Sequence, residues 1–296
     1  MKKWGFLLFL LLSLFLTFIY KESSFESKAD IPNVEVLKYE QHENDKAEDR
    51  RASENSQQTD ISEEQIYQGN LLLVNKKYPV RPESIKLDVV DLFTHSELVK
   101  GYGLLDRTYL SEDLARKFSD MITAAGKEGV SNFFITSGFR DFDEQSKLYQ
   151  EMGSAYALPA GYSEHNLGLS LDVGTTQMTM AKAPEGKWIE QYAWKYGFIL
   201  RYPEDKTDIT GIQYEPWHIR YVGLPHSAIM KEKGLVLEEY LDYLKEKKKV
   251  SAKVESKKYT VSYYPFSENM TIHIPENHEY EISGDNIDGV IVTVYK

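Results

Sequence analysis

Two short stretches of this chain carry histidines and carboxylates at spacings that suit a metal ion. The first stretch places His165 and Asp172 with six residues between them. The second, further along the chain, places Glu215 three positions before His218. Two imidazoles and one carboxylate supply three protein ligands for a tetrahedral zinc ion and leave its fourth position for water. Any fold of this chain must therefore bring the two stretches together.

Glu215 is not needed as a ligand in this arrangement, so its carboxylate is free for proton transfer. A hydrolase needs such a group to take a proton from an attacking water. The chain has no cysteine that could close the site as a fourth ligand. The pattern therefore predicts a catalytic zinc site with His165, Asp172 and His218 as ligands and Glu215 as the general base.

Pro216 and Trp217 separate the predicted base from the last ligand. On a regular strand, Glu215 and His218 would face opposite ways, because side chains alternate along a strand. Proline lacks a backbone donor and interrupts a regular ladder, so a kink at Pro216 would bring both side chains to one site. We interpret Trp217 as a packing residue beneath the site.

The N-terminus predicts a membrane anchor. Lys2 and Lys3 precede an apolar run from Trp4 to Tyr20, whose length is near the minimum for a membrane-spanning helix. A cleaved signal peptide is the alternative, but no small-residue cleavage site follows the run. We therefore expect an uncleaved signal-anchor over residues 1–20. The two lysines predict a cytoplasmic N-terminus, with the rest of the chain on the extracellular face of the cell membrane.

Residues 21–60 predict a disordered tether. They are polar and glycine-free and contain eleven acidic and six basic residues. Such a composition favours an extended, charged spacer that holds a catalytic domain away from the membrane. The whole chain has a formal net charge of −11. No basic patch is present to neutralise phosphates, so we expect no nucleic-acid partner.

The sequence predicts several helices within the predicted catalytic domain, residues 61–249. Ser62 and Gln65 form a capping-box pattern that predicts a helix through Leu73. Ser111 predicts the start of a second helix that ends near Gly126 or Gly129. Its predicted buried face consists of Leu114, Phe118, Met121, Ile122 and Ala125. Further helices are predicted over 141–152, 188–196 and 235–249.

Strand signals complete the domain. Residues 130–136 predict a buried strand, and residues 198–202 predict another. Apolar residues alternate strictly over 167–173, which places Asp172 on the face opposite Leu169 and Leu171. This order of elements predicts an α+β fold with a largely antiparallel sheet and flanking helices. Beyond Val250, short strands over 259–264, 270–274, 280–283 and 289–295 predict a small β-rich C-terminal subdomain, residues 250–296.

The motifs of the central region identify a family resemblance. The segments SGFRDFDEQSKLY, SEHNLGLSLD and EPWHIRYVG stand in that order in the chain. Together with the opening GNLLLVNKKYP, they resemble the zinc D-alanyl-D-alanine carboxypeptidases of the VanY type, from about Tyr67 to Tyr243. The resemblance implies one zinc ion per chain and a substrate that is the stem peptide of a peptidoglycan precursor ending in D-Ala-D-Ala.

The resemblance also implies roles for three further residues. Arg140 is expected to polarise the scissile carbonyl and to stabilise the oxyanion, and thus to contact the substrate. Gln145 shares a helix face with apolar residues and is expected to contact the C-terminal carboxylate of the substrate. Ser163 is expected either to contact the substrate or to serve only a turn.

The resemblance implies a membrane-anchored D,D-carboxypeptidase that contributes to cell-wall remodelling and glycopeptide resistance. Two alternatives use the same zinc chemistry: an L,D-carboxypeptidase and a D-Ala-D-Ala dipeptidase. A third is a non-catalytic cell-wall binding module with a structural zinc. Glu215 argues against the third, because a structural site has no use for an unligated carboxylate at that position.

Overall fold

The computed structural model of the chain describes residues 34–37, 56–153 and 157–296. The predicted anchor at residues 1–20 lies outside these residues. Within the described ranges, no helix has both the length and the hydrophobicity that a membrane crossing requires.

The described residues form fourteen strands and six α-helices. The strands are β1 (Val34–Leu37), β2 (Ser56–Ile61), β3 (Val89–Asp91), β4 (Tyr102–Leu104), β5 (Tyr109–Ser111), β6 (Phe133–Ser137), β7 (Ser170–Thr175), β8 (Phe198–Leu200), β9 (His218–Tyr221), β10 (Lys249–Val254), β11 (Lys257–Pro265), β12 (Met270–Pro275), β13 (Tyr280–Gly284) and β14 (Gly289–Tyr295). The α-helices are α1 (Glu112–Lys127), α2 (Phe142–Met152), α3 (Pro184–Tyr192), α4 (Thr207–Thr210), α5 (His226–Lys233) and α6 (Leu237–Lys247).

A five-stranded sheet in the order β4-β6-β7-β9-β8 forms the centre of the fold. The β4–β6 pair is parallel, and the other three pairs are antiparallel. The fold is therefore mixed α+β, and its central sheet is largely antiparallel. On β7, Leu171 and Val173 are buried in the core, so Asp172 between them points to the other face, as the alternation predicts.

Two helices that flank this sheet begin at a capping side chain, and Ser111 caps the first of them as predicted, whereas the helix predicted to begin at Trp188 begins at Pro184 without a side-chain cap. The Ser111 hydroxyl accepts a hydrogen bond from the Leu114 backbone N–H, and all five predicted core residues of α1 are buried. The Asp141 carboxylate caps α2 by accepting a hydrogen bond from the Glu144 N–H. A 3-10 turn continues α3 and ends at Gly197, which has a left-handed conformation with φ 83°.

The helix predicted from Ser62 to Leu73 is wrong beyond its first turn. The Gln65 side chain does accept a hydrogen bond from the Ser62 N–H, but the chain forms only a 3-10 helix over Glu63–Tyr67. Beyond that turn, the Leu71 and Leu73 backbone N–H groups donate to the Ser283 hydroxyl and the Asp285 carbonyl. These long-range bonds hold the segment outside a helix, because its donors are used by the C-terminal strands.

Four C-terminal strands and the N-terminal strand β1 form a second sheet, called the C-terminal sheet below. Its order is β1-β10-β11-β14-β13, and every pair in it is antiparallel. The four predicted C-terminal strands are present as β11 to β14, whereas the sixth helix ends at Lys247 and β10 follows it. Strand β12 pairs with β2. Strands β1 and β2 lie in the stretch for which a tether is predicted; residues 38–55 between them lie outside the described residues.

A shared apolar core joins helix α6 to the C-terminal sheet. One face of α6 is buried against residues of β10, β11 and β14 and against two residues of the segment after Gly69. The contributing side chains are Leu237, Tyr240, Leu241, Leu244, Val250, Val261, Tyr263, Ile291, Leu71 and Leu73. The C-terminal sheet therefore packs on the catalytic fold through α6.

Candidate active site

The three predicted ligands lie together at one face of the central sheet. His165 is in a 3-10 turn over Glu164–Asn166, Asp172 is on β7, and His218 begins β9. One ligand atom from each lies within 4.8 Å of the others. Asp172 Oδ2 is 3.3 Å from His165 Nε2, and Asp172 Oδ1 is 3.0 Å from His218 Nδ1. These distances describe a compact three-ligand metal site.

A backbone carbonyl determines which nitrogen His165 presents. His165 Nδ1 donates a hydrogen bond of 2.6 Å to the Gly138 carbonyl oxygen, so Nε2 is unprotonated and faces Asp172. Gly138 reaches this position only because it has no side chain: a Cβ there would lie 2.2 Å from the Tyr109 carbonyl oxygen. The glycine of the SGFR turn thus orients a metal ligand.

His218 presents the other imidazole nitrogen. Its Nδ1 faces Asp172, while its Nε2 lies 3.3 Å from Glu164 Oε2. Both histidines therefore have one nitrogen directed at the common site and one engaged by an acceptor behind the ring. This donor set fits zinc, which accepts imidazole nitrogen and carboxylate oxygen in a tetrahedral arrangement.

A buried ion network lies behind His218 and was missed by sequence reasoning. Burial alone would raise the pKa of Glu164, but the Arg220 and Arg201 guanidinium groups and His218 lower it well below its usual range. Arg201 also pairs with Glu238 of α6. A signal existed in the sequence: Arg201 directly follows the apolar strand β8 and Arg220 lies within β9, and a charge in such surroundings needs a partner.

Glu215 lies beside the ligands without joining them. A turn closed by the His218 N–H and the Glu215 carbonyl bends the chain through Pro216, as predicted. The Glu215 carboxylate Oε2 is 3.9 Å from His218 Nδ1, and 28% of the side chain is exposed. Burial raises the pKa of Glu215, and the nearby Asp172 adds to the rise while His218 and Arg140 oppose it. Such a carboxylate is suited to accepting a proton from water.

Arg140 also lies beside the metal site. Its Nη2 is 4.0 Å from Asp172 Oδ2, and its backbone N–H donates to the His165 carbonyl. Its Nη1 donates to Gln145 Oε1 at 2.7 Å. The buried Nε has no hydrogen-bond partner among the described residues. A buried donor that has no partner and lies beside a metal site is suited to binding an acceptor atom of the substrate.

Gln145 and Ser163 are both buried and engaged within the protein. Gln145 accepts from Arg140 and donates through Nε2 to the Leu158 carbonyl at 2.6 Å. Gln145 thus orients Arg140, and its predicted contact with the substrate stays a prediction. The Ser163 hydroxyl accepts a hydrogen bond from the His165 N–H, which serves the turn; a contact with substrate stays a prediction there too.

The interpretation of Trp217 as a packing residue is wrong. Its side chain is 41% exposed, although His218 beside it is buried. The turn that directs Glu215 and His218 to the metal site leaves Trp217 at the solvent side. The indole therefore contributes surface near the site rather than core.

Comparison with known proteins agrees with this geometry. The family model described as VanY, D-alanyl-D-alanine carboxypeptidase, matches residues 107–224. A D-alanyl-D-alanine carboxypeptidase of Enterococcus faecium is 62% identical over 296 residues, which cover 100% of this chain and 97% of the relative. The bifunctional D-Ala-D-Ala dipeptidase and D-Ala-D-Ala carboxypeptidase VanXYC of Enterococcus gallinarum is 37% identical over 193 residues, or 59% of this chain and 94% of that protein.

A solved structure extends the comparison to the fold. The vancomycin resistance D,D-dipeptidase VanXYg, in complex with a D-Ala-D-Ala phosphinate analog, aligns with a TM-score of 0.71 and 32% identity. The alignment covers 81% of this chain and 99% of that one. Sequence, fold and metal-ligand geometry therefore agree: this chain belongs to the VanY family of zinc D-alanyl-D-alanine carboxypeptidases.

Proposed function

We propose that this protein removes the terminal D-alanine from peptidoglycan precursors at the outer face of the cell membrane. The observation that supports this proposal most directly is the position of the Glu215 carboxylate, which lies beside the three metal ligands but is not one of them. The stem peptide ending in D-Ala-D-Ala is the proposed substrate, and trimming it withdraws the terminus that glycopeptides bind. We propose on this basis a contribution to glycopeptide resistance and cell-wall remodelling.

The donor set assigns the metal to His165 Nε2, Asp172 and His218 Nδ1. A zinc ion held by these atoms supplies Lewis acidity, which acidifies water at the site and polarises the scissile carbonyl. The side chains around the metal site carry out the remaining steps of the reaction. Both histidines are held in the tautomer that leaves the inward nitrogen unprotonated, so the protein side of the site is prepared for the metal.

The residues divide the hydrolysis between them. Glu215 accepts a proton from the attacking water, whose oxygen forms a bond to the carbonyl carbon of the penultimate D-alanine. Arg140 donates through its free Nε to the carbonyl oxygen as that oxygen becomes negative. Glu215 then gives the proton to the departing amine, the C–N bond breaks, and D-alanine leaves. Gln145 keeps the Arg140 guanidinium in place through the 2.7 Å hydrogen bond.

The experiment that tests this function is mass spectrometry of a stem pentapeptide ending in D-Ala-D-Ala after incubation with the full-length chain in detergent. We expect loss of one alanine, and the same product from a lipid-linked precursor. An intact pentapeptide with a zinc-loaded wild-type protein would reject the proposed substrate. The Glu215→Gln variant controls for contaminating peptidases.

A dipeptidase activity is the second candidate. It is favoured by the likeness to VanXYC, which is bifunctional, and to the D,D-dipeptidase VanXYg. Free D-Ala-D-Ala should be offered beside the pentapeptide at equal concentration. Release of free D-alanine from the dipeptide at a comparable kcat/KM would assign both activities to this chain.

The proposed location rests on the apolar run Trp4–Tyr20 and the two preceding lysines. The full-length chain should sediment with membranes, and external protease should release a soluble catalytic fragment from intact spheroplasts. The cut should fall within the predicted tether, at residues before β1, because β1 pairs with β10 of the released fragment. A mature protein that begins between Ser24 and Asp30 would show a cleaved signal instead.

A further inference from the structure

Glu164 contacts a metal ligand from the side that faces away from the metal site. Its Oε2 lies 3.3 Å from His218 Nε2, the nitrogen that points away from the metal site. Arg201 and Arg220 donate to its Oε1 and Ser170 donates to its Oε2, so Glu164 acts as an acceptor on both oxygens and the His218 proton sits on Nε2. That leaves the Nδ1 lone pair free beside Asp172, at 3.0 Å.

The Glu164 carboxylate is held in one orientation. The side chain is 0% exposed, and Oε1 accepts hydrogen bonds from Arg201 Nε at 2.8 Å and Arg220 Nη1 at 2.7 Å. Oε2 accepts from the Ser170 hydroxyl at 3.1 Å as well as from His218. Every acceptor direction is thus used, and the carboxylate has no room to rotate.

The two arginines are themselves anchored to distant parts of the chain. Arg201 forms a two-pronged pair with Glu238 on α6, at 2.9 and 2.7 Å. Arg220 donates to the carbonyl oxygens of Asn70 and Leu72, at 3.0 and 2.9 Å. Arg201 is therefore tied to helix α6, and Arg220 is tied to the segment after Gly69.

The two metal histidines differ in what lies behind them. The acceptor behind His165 is a neutral carbonyl, that of Gly138. The acceptor behind His218 is a full negative charge. A carboxylate behind a ligating imidazole fixes its tautomer and ring orientation and makes it a stronger ligand. A purely structural ion cluster would require only the contacts between Glu164 and the arginines.

We infer that Glu164 is a positioning residue of the metal site: it selects the ligating tautomer of His218, and the Arg201–Arg220 pair holds it in place. This inference rests on the proposed function of His218 as a ligand. It adds a residue that acts through His218 and touches neither metal nor substrate.

The Glu164→Gln variant tests the inference sharply. The glutamine oxygen should turn to the two arginines, which only donate, so the amide NH₂ turns to His218 Nε2. An NH₂ donor favours the tautomer with its proton on Nδ1, the wrong nitrogen for metal binding. We expect the zinc dissociation constant, measured by chelator competition on the full-length chain, to rise about 10- to 100-fold. The visible absorption spectrum of the cobalt(II)-substituted protein should change as well.

The matched control is Glu238→Gln, which removes a negative charge from the same arginine cluster without touching His218. It should lower the unfolding temperature of the zinc-free protein yet keep the zinc dissociation constant and the cobalt spectrum of wild type. Equal zinc affinity in wild type and Glu164→Gln would overturn the inference. Equal losses of affinity in Glu164→Gln and Glu238→Gln would overturn it too, because they would indicate a structural effect.

A second variant covers the case in which Glu164→Gln does not fold. Glu164→Asp keeps the charge among the arginines but withdraws the carboxylate from His218 by one methylene. It should fold and bind zinc more weakly than wild type, and unchanged affinity there would also overturn the inference. The His218→Ala variant tests the ligand assignment separately from the role of Glu164. If this variant retains zinc, His218 is not a ligand, whatever the Glu164 variants show.

Discussion

Asp172 and His218 lie directly opposite each other on the neighbouring strands β7 and β9, and their Oδ1 and Nδ1 atoms are 3.0 Å apart. The strand register therefore builds half of the metal site. A slip of one residue in either strand would turn the ligand of that strand to the other face of the sheet. The third ligand, His165, comes from the turn that leads into β7, so all three depend on this one strand pair.

Removal of a ligand histidine should remove the metal. We expect His165→Ala and His218→Ala to lose most of the single zinc ion that wild type carries, because two remaining ligands hold zinc poorly. Elemental analysis of the purified chain measures this directly. His278→Ala is the matched control, since His278 is exposed and remote from the ligand group. Full zinc occupancy in either ligand variant would contradict that ligand's assignment.

Replacement of the proposed base should separate catalysis from metal binding. Glu215→Gln keeps the size of the side chain but cannot accept a proton, so we expect kcat to fall about 10²- to 10⁴-fold. Zinc content should stay that of wild type, because Glu215 is outside the ligand group. Glu204→Gln, on an exposed turn, should leave kcat unchanged. Near-normal turnover by Glu215→Gln would refute the assigned role.

Arg140 should resist even a conservative substitution. Lysine keeps the charge, but it cannot bind Gln145 and also place a second donor toward the substrate, as the planar guanidinium does. We expect Arg140→Lys to lower kcat about 10²- to 10³-fold, the usual effect of losing one oxyanion donor. Zinc content should not change. Arg116→Lys, on the exposed face of α1, is the control. Equal rates in the two variants would show that Arg140 has only a structural role.

The pH dependence of stability should carry the signature of His226. Its Nδ1 and Nε2 lie 2.7 and 3.0 Å from the hydroxyl oxygens of Tyr240 and Thr293, and burial lowers its pKa to about 3. Because the unfolded chain takes up this proton near pH 6.5 and the folded chain does not, the contribution is present above pH 6.5 and is lost as pH falls towards 3.

Urea unfolding at two pH values measures this effect. Between pH 7.5 and pH 5 the His226 contribution should cost about 2 kcal/mol of unfolding free energy. The His226→Gln variant should lack that part of the pH dependence, while every other titrating group cancels in the comparison. Identical pH profiles for wild type and variant would show that His226 is protonated in the folded protein.

Inhibitor sensitivity should follow from the metal mechanism. Serine-type D,D-peptidases acylate through a Ser-x-x-Lys nucleophile, and no serine of this chain has lysine three positions later. We therefore expect activity to survive penicillin at concentrations that saturate serine enzymes. A chelator should abolish activity, and added zinc should restore it. Stoichiometric covalent labelling of the chain by penicillin would contradict the metal mechanism.

The correct predictions share a local origin. Helices α1 and α2 begin where Ser111 and Asp141 cap them, because a cap binds N–H groups within the next three residues. The same locality makes the ligand motif readable, since a histidine and a carboxylate near each other in sequence cannot end far apart. The failed helix from Ser62 to Leu73 had a valid cap but lost its backbone donors to β13 and the turn that follows it.

The sequence by itself indicated the chemistry of this protein: the pairs His165–Asp172 and Glu215–His218 are suitable residue types at short spacings, and the order of the elements indicated the α+β class. Only the tertiary structure decided the rest. Glu164, Arg201 and Arg220 meet across 37 to 56 positions of chain, and the carbonyl of Leu72 lies 148 positions from Arg220. The exposure of Trp217 likewise depends on a turn between packed strands. Such contacts are selected by burial and by the pairing of buried charges, which spacing along the chain does not encode.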